Sequence, residues 1–230
     1  MNTLEPFGSE HLIVIFVSLA LVILVPWATS KIFYPKSETI VRSSIAGMLW
    51  INEISMWVYR LWDGSYTVLE HLPLHLCGFS IILSPIMLLK KNHKIYNLVY
   101  FWGLGGASQA FFTPTIEEGF PSFLFFQYFI SHGLIILSVV YATVVLKMRP
   151  SLLALSRTTL ITIGLLLPIG IINWLVGSNY FFINGKPEAS TLLDLMGPWP
   201  IYIVPLIGTG IVIFLLVYLP FPLYKKIRKI

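Results

Sequence analysis

Seven stretches of about 20 mainly apolar residues, the length that a helix needs to cross a bilayer, constrain this chain more than any other feature. Polar residues such as Asn52, Glu53 and Gln109 interrupt two of them, so six spans are possible if one of these stretches is re-entrant. We predict an all-α integral membrane protein of about seven transmembrane helices, forming a single polytopic membrane domain over residues 1–230. The approximate spans are 10–33, 41–62, 71–90, 95–113, 122–147, 157–177 and 199–222.

The composition excludes an ordinary soluble domain. Apolar and aromatic residues make up 57% of the 230 residues, and Asp, Glu, Lys and Arg together only 11%. A soluble domain of this length needs far more charge to cover its surface. The net charge of +5 does not indicate a nucleic-acid partner, because basic side chains beside membrane spans bind anionic lipid. Membrane lipids are the expected partners.

The charges between the spans predict how the chain crosses the membrane. Basic residues concentrate after the first, third and fifth spans and in the tail, whereas the other span ends are acidic or mixed. Because basic residues stay in the cytoplasm, we expect a multi-pass protein of the cell membrane with its amino terminus outside and its carboxyl terminus in the cytoplasm. The basic set is Lys31, Lys36, Arg42, Lys90, Lys91, Lys94, Lys147, Arg149, Arg157, Lys225, Lys226, Arg228 and Lys229, and the other set is Glu5, Glu10, Asp63, Glu70, Glu117, Glu118, Lys186, Glu188 and Asp194.

Polar residues from five of these spans share a depth. At about 1.5 Å per residue, Cys77, His132, Glu53, Gln109 and Asn173 all fall in the outer half of the bilayer. Ionisable residues inside a span are costly to insert and usually face a polar interior. A common depth therefore favours one shared cavity, and a polar network that only fixes helix packing is the alternative.

Glu53 needs a partner if it lies at this depth, because its carboxylate is too far from the membrane surface to reach water easily. The sequence offers three candidates from other spans or span ends. We expect the carboxylate to meet His132, His75 or Arg60.

The segment Leu72–Ser80 is the sharpest local feature. Pro73 suits the first turn of a helix, where its missing N–H costs little. His75 and Cys77 are two residues apart, so on a helix they project about 200° from each other. His75 is then poorly placed to activate Cys77, and His132, on another span, is the natural base.

A cysteine and a histidine in an apolar pocket can carry out acyl transfer. The histidine favours the thiolate, which forms a thioester with a lipid acyl group and then passes it to water or to another lipid. The oxyanion is expected to be stabilised by Asn52, Gln109, Asn173 or a backbone N–H near Gly78. The alternative is that Cys77 is a small, inert apolar residue.

The histidines also permit a metal site. His71 and His75 are four residues apart and would share a helix face, and His132 and Glu53 could complete a zinc or iron site. The sequence has no HExxH motif, and a single cysteine excludes a cysteine-rich metal site. We therefore favour a mechanism without a metal or other cofactor.

Other glycines and histidines are not expected to take part in chemistry. Gly103, Gly105 and Gly106 are expected to permit close helix packing. His11 and His93 lie at span ends and are expected to be solvated.

Four short motifs, in their order along the chain, resemble the YwaF family of bacterial integral membrane proteins, which is related to transmembrane protein 164, a vertebrate phospholipid acyltransferase. They are Leu-Pro-Leu-His-Leu-Cys over 72–77, His132, the pair Asn179-Tyr180 and the turn Gly197-Pro198-Trp199-Pro200. The resemblance covers roughly residues 10 to 222. It implies transfer of fatty acyl chains between phospholipids, with Cys77 as the nucleophile and His132 as its partner.

A more remote relation is to the androgen-induced intramembrane hydrolases, which cleave fatty acid esters with a threonine and a histidine. Our leading hypothesis is therefore an acyltransferase or hydrolase that remodels phospholipid acyl chains through Cys77 and His132, with a phospholipid or lysophospholipid as substrate. Arg60 and Asn179 are candidates to contact the lipid head group. The alternatives are a small-solute or proton-coupled transporter that uses a buried Glu/His network, and a non-catalytic lipid-binding protein.

Overall fold

The computed structural model describes residues 3–33, 35, 37–187 and 192–227. The predicted domain over residues 1–230 is therefore described only within these ranges. Some charged residues used above to orient the chain lie outside the described residues, or have side chains that do: Lys36, Glu188, Lys225, Lys226, Arg228 and Lys229.

The described ranges are built from helices, with one isolated β-bridge between Thr3 and Glu118, which confirms the all-α prediction. The α-helices are α1 (Ser9–Ala28), α2 (Glu38–Trp62), α3 (Leu76–Lys90), α4 (His93–Trp102), α5 (Ser108–Phe112), α6 (Phe123–Val144), α7 (Leu152–Val176), α8 (Ile203–Tyr218) and α9 (Pro220–Ile227). A π-helix over Thr29–Phe33 extends α1, and a second over Gly103–Ala107 joins α4 to α5. Short 3₁₀ turns cover Tyr180–Phe182 and Leu192–Met196.

Within the described ranges, four helical segments are long and apolar enough to cross a membrane. They are Ser9–Ile32, Phe123–Val144, Leu152–Val176 and Ile203–Leu223, and the apolar helix α3 is shorter. Large apolar side chains such as Phe16, Leu167 and Val204 are exposed on their outer faces, as expected against lipid. The chain is therefore a membrane protein, whereas the count of seven spans and the orientation of the termini stay predictions.

Two predicted spans differ from the helices. The third was expected to begin at residue 71, but α3 begins at Leu76, and residues 71–75 are not helical. Pro73 therefore lies before the helix and not in its first turn, because the chain makes a tight turn around it in which the Leu74 N–H donates to the Leu72 carbonyl at 2.7 Å. The fourth span is divided into α4, the second π-helix and α5, where three glycines loosen the helical winding.

The core lies where α3, α4, the second π-helix and α6 pack together, with α2 and α7 against them. Glycine makes this packing possible. A Cβ at Gly103 would lie 2.9 Å from Ile135 Cγ2, and one at Gly105 would lie 3.2 Å from both Ile213 Cγ2 and Phe214 Cε1. The prediction that glycines permit close helix packing is confirmed for Gly103 and Gly105, whereas a Cβ at Gly106 would make only ordinary contacts.

One end of the bundle is fixed by a buried arginine. Arg42 Nε donates to Glu38 Oε1 at 2.8 Å, and its Nη1 donates to the Leu88 carbonyl at 2.9 Å. Lys91 Nζ lies 3.3 Å from the same Glu38 carboxylate. The same Nη1 also donates to the Leu89 carbonyl at 3.2 Å, so Arg42 supplies hydrogen bonds to carbonyls in the last turn of α3. The start of α3 lies about 20 Å away, at the 1.5 Å rise per residue of an α-helix.

His11 corrects another expectation. It is fully buried and not solvated: its Nδ1 accepts the Phe7 N–H at 2.8 Å, and its ring packs against Phe129. The residues before α1 cover it, and the Leu4 N–H donates to the Glu117 carbonyl at 2.8 Å. His93 is exposed as expected.

Candidate functional site

The site is organised by the start of α3. His75 is the N-cap residue and has extended backbone (φ −85°, ψ 160°), and the helix continues through Leu76 and Cys77. The first helical hydrogen bond runs from the Phe79 N–H to the His75 carbonyl, at 3.0 Å. The N–H groups of Leu76, Cys77 and Gly78 therefore have no partner among the described residues, as is usual in a first helical turn. Cys77 therefore lies in the first turn of α3, at the positive end of the helix dipole.

Gly78 is required because the preceding segment folds back over the helix. A Cβ at this position would lie 2.8 Å from both Cα and C of Pro73. No side chain larger than hydrogen fits there unless this backbone moves. His75 and Cys77 line the same cavity, which the sequence-based assumption of a continuous helix did not predict.

A cavity of about 300 Å³ opens beside Cys77. His75, Leu76 and Cys77 form one wall, and Gly105 and Gly106 of the second π-helix lie next to them. A Cβ at Gly106 would lie 3.6 Å from Cys77 Sγ. The remaining walls come from α7, from the turn at 181–182 and from α8 between Ile203 and Phe214. The cavity is lined almost entirely by apolar groups.

Tyr180 holds the segment before α3 in place. Its buried hydroxyl accepts the Leu72 N–H at 2.9 Å and donates to the Val68 carbonyl at 2.7 Å. Its ring lies 5.4 Å from the ring of His75, which also packs against Phe182 at 5.2 Å. Sequence reasoning assigned no role to Tyr180, although the Asn179-Tyr180 pair was part of the family resemblance.

Asn173 supports Tyr180. Its Nδ2 donates to the Tyr180 carbonyl at 2.9 Å, and its Oδ1 accepts the Tyr180 N–H at 2.9 Å and the Ser178 hydroxyl at 2.8 Å. The side chain is fully buried and does not line the cavity. These contacts fit support of the site better than oxyanion binding.

His132 lies on α6, which packs against α3. Its Nδ1 is 2.7 Å from the Tyr128 carbonyl oxygen. Because a carbonyl only accepts, Nδ1 carries the hydrogen in the neutral ring, and Nε2 keeps its lone pair. The half-buried His132 makes no hydrogen bond to Cys77 and does not line the cavity.

The five residues that the sequence placed at one depth do not share this cavity: Cys77 lines it, and His132, Glu53, Gln109 and Asn173 do not. Asn52 joins α2 to α6 beside His132, since its Nδ2 donates to Ser131 Oγ at 2.7 Å. The expectation for Glu53 is wrong among the described residues: its carboxylate accepts from Trp57 Nε1 at 2.9 Å and pairs with no histidine or arginine. Gln109 is exposed.

The two candidate head-group residues lie in loops or at a helix end. Arg60 Nη1 donates to Ser65 Oγ at 3.1 Å. Asn179 closes its own loop, donating from Nδ2 to the Gly185 carbonyl at 2.8 Å and accepting the Asn184 N–H at 3.0 Å. Its polar atoms are therefore occupied within the protein.

The metal alternative has no matching cluster. In the part of the chain that the structure describes, no three His, Cys, Asp or Glu side chains are placed to hold a metal ion. His71 Nδ1 instead accepts the Thr67 N–H at 3.1 Å, and its ring stacks on Tyr66.

The apolar helices define a membrane protein, and comparison with known proteins identifies its family. The model of the TMEM164 family matches residues 6–218, so the chain belongs to the TMEM164 family. This confirms the resemblance inferred from the motifs. A protein of Treponema pallidum (strain Nichols), described only as an uncharacterized protein, is 26% identical over 221 residues, which cover 94% of this chain and 89% of that protein. No solved structure gives a significant match.

Proposed function

We propose that this protein is an intramembrane acyltransferase or hydrolase that remodels phospholipid acyl chains through an acyl-thioester on Cys77. The observation that carries the proposal is the position of the only cysteine. It lies in the first turn of a helix, on the wall of an apolar cavity and next to unpartnered backbone N–H groups. A nucleophile, an apolar binding space and oxyanion donors are the parts that acyl transfer requires.

The reaction has two steps. A histidine takes the proton of the Cys77 thiol, and the sulfur attacks the ester carbonyl of a phospholipid. The negative oxygen that forms is stabilised by the N–H groups at the start of α3. The carbonyl reforms as the carbon–oxygen ester bond breaks, and the lysolipid oxygen takes the proton from the histidine. Water or a second lysolipid hydroxyl then attacks the thioester, which releases a fatty acid or a new phospholipid and restores the thiol.

Two histidines are candidates for the base. His132 has the required tautomer, because the Tyr128 carbonyl fixes the proton on Nδ1 and leaves Nε2 free to accept another. His75 lines the same cavity as Cys77, and aromatic rings hold its own ring on two sides. We propose His132 as the base, with His75 on the cavity wall beside the reacting ester.

The membrane arrangement belongs to the same proposal. Seven spans in the cell membrane, with the amino terminus outside, would place the start of α3 in the outer half of the bilayer. Phospholipid ester groups lie near the boundary of the hydrocarbon core, so a lipid could present its ester to Cys77 by moving sideways from the outer leaflet.

Mass spectrometry of the purified protein after incubation with mixed phospholipids tests this function. The expected result is an acyl adduct on Cys77 that hydroxylamine removes, together with released lysolipid, and neither product from Cys77→Ala. An added lysolipid that gains the acyl chain would identify a transferase, whereas free fatty acid alone would identify a hydrolase. The proposal is wrong if the wild-type protein turns over no lipid and forms no adduct.

A further inference from the structure

We propose that the cavity between α7 and α8 holds the acyl chain of an esterified membrane lipid, and that Gly210 keeps it open for a long, linear chain. This inference rests on the proposed function for the identity of the chain as substrate. It adds where the chain lies and which residue limits its length.

The shape of the cavity fits an extended chain. Its lining residues on α8 run from Ile203 to Phe214, a distance of about 16 Å at the rise of an α-helix. Carbon–carbon bonds are about 1.5 Å long, so a zigzag chain covers this distance with roughly a dozen carbons. Thr159 and Leu166 bound the part of the facing wall that α7 contributes.

The walls of the cavity favour an apolar occupant. Beyond His75 and Cys77, the hydrogen-bonding side chains are two threonines of α7. One of them, Thr162, is already occupied, because it accepts from Trp102 Nε1 at 2.8 Å and donates to the Thr158 carbonyl at 2.8 Å. A sugar or a phosphate would find almost no partner here, whereas methylene groups lose no hydrogen bond on entry.

Two glycines of α8 lie on different sides of the helix, one on the cavity wall and one on the exposed face. A Cβ added at Gly210, which lines the cavity, would meet no atom within 4 Å. A Cβ added at Gly208 would also meet none, but Gly208 is exposed and does not line the cavity. A larger side chain at 210 therefore fits without a clash and takes up cavity space, and the same side chain at 208 leaves the cavity unchanged.

Photo-crosslinking tests the position of the chain without requiring turnover. The probe is a phosphatidylcholine with a diazirine in the middle of one acyl chain, applied to the full-length Cys77→Ala protein in detergent. We expect crosslinks within 203–214 and 159–166, lost about tenfold in Gly210→Leu and retained in Gly208→Leu. Crosslinks that persist in Gly210→Leu, or that fall equally in both variants, would overturn the inference.

A second pair of variants keeps the test decisive if Gly210→Leu does not fold. Leu206→Phe fills the cavity from another turn of α8, and Val204→Phe adds the same ring on the exposed side. Loss of the cavity crosslinks in Leu206→Phe alone supports the inference, and equal retention in both refutes it.

Chain-length competition identifies the lipid. Unlabelled phosphatidylcholines with 10- or 18-carbon chains compete with the probe, and free fatty acids serve as the second arm. Gly210→Leu should shift the preference toward the shorter phospholipid about tenfold, in line with the discrimination that apolar pockets achieve. Unchanged preference, or competition by free fatty acid alone, would contradict the inference. Cavity crosslinks without turnover in the wild type would instead refute only the proposed function.

Discussion

The Tyr180 hydroxyl accepts the Leu72 N–H at 2.9 Å, which joins the loop after α7 to the segment that carries His75. It donates at the same time to the Val68 carbonyl at 2.7 Å. Burial raises the pKa of Tyr180, so the hydroxyl keeps the proton that it donates. One side chain thus fixes a stretch of backbone that lies outside any helix.

Tyr180→Phe should lower both stability and activity. The substitution keeps the ring but leaves the Leu72 N–H without its partner, and such a loss costs about 1–3 kcal/mol. Tyr96→Phe is the matched control, because Tyr96 also bonds through its hydroxyl, to Thr143 Oγ1 at 2.8 Å, in the core away from the cavity. The unfolding temperature should fall in both variants. The yield of Cys77 adduct per folded molecule should fall only in Tyr180→Phe. Equal adduct yields per folded molecule would rule out a positioning role for Tyr180.

Gly78→Ala should displace the segment before α3. Its Cβ would lie 2.8 Å from Pro73 Cα, so either the helix start or the segment must move, at a cost of about 1–3 kcal/mol. Gly47→Ala is the control, because a Cβ there meets nothing within 4 Å and alanine favours a helix by about 0.5–1 kcal/mol. The melting temperature should therefore fall in Gly78→Ala and rise in Gly47→Ala. A Gly78→Ala protein with normal melting and normal adduct formation would contradict the described geometry.

His132→Ala should slow acylation of Cys77 by about 10²–10⁴-fold, the usual contribution of a general base. The measurement is the rate at which the hydroxylamine-labile adduct appears at a fixed phospholipid concentration. The exposed His93 provides a control, and His93→Ala should acylate at the wild-type rate. If His75→Ala shows the large defect and His132→Ala does not, the base is His75 and the assignment proposed here is wrong.

Glu53→Gln should leave acylation within about twofold of the wild-type rate, because the carboxylate contacts Trp57 and not the cavity. Glutamine keeps an oxygen that accepts from the Trp57 indole, so stability should also change little. Glu53→Gln also tests the alternative hypothesis that the protein is a transporter in which Glu53 relays protons. Loss of a proton flux in vesicles containing Glu53→Gln, with acylation absent in the wild type, would favour transport.

The helices were largely predictable from the sequence, because long apolar stretches with few charges leave little alternative in a membrane. The start of α3 was not. Residues 71–75 carry two leucines and no Asp, Glu, Lys or Arg, so they were assigned to the span, whereas the helix begins only at Leu76, after Pro73 has folded back against Gly78. Hydropathy responds to composition and does not detect where the backbone stops being helical.

The site was predictable in part for a similar reason. Depth along a span brings Cys77 and Asn173 to one level, but the rotation of each helix decides which side chains face the same space. That rotation placed Glu53 against Trp57 of its own helix and Asn173 against Tyr180. The position of His75 beside Cys77 depends on non-helical backbone, which periodicity cannot detect.

Cys77 is the only thiol of the chain, and it lies on the wall of the cavity. A sulfhydryl reagent therefore marks one position of the unaltered polypeptide, without replacement of other cysteines beforehand. The rate of alkylation would report how often the cavity is occupied, because a resident molecule shields the sulfur from the reagent. Occupancy can thus be followed over time in native membranes, before any substrate has been identified.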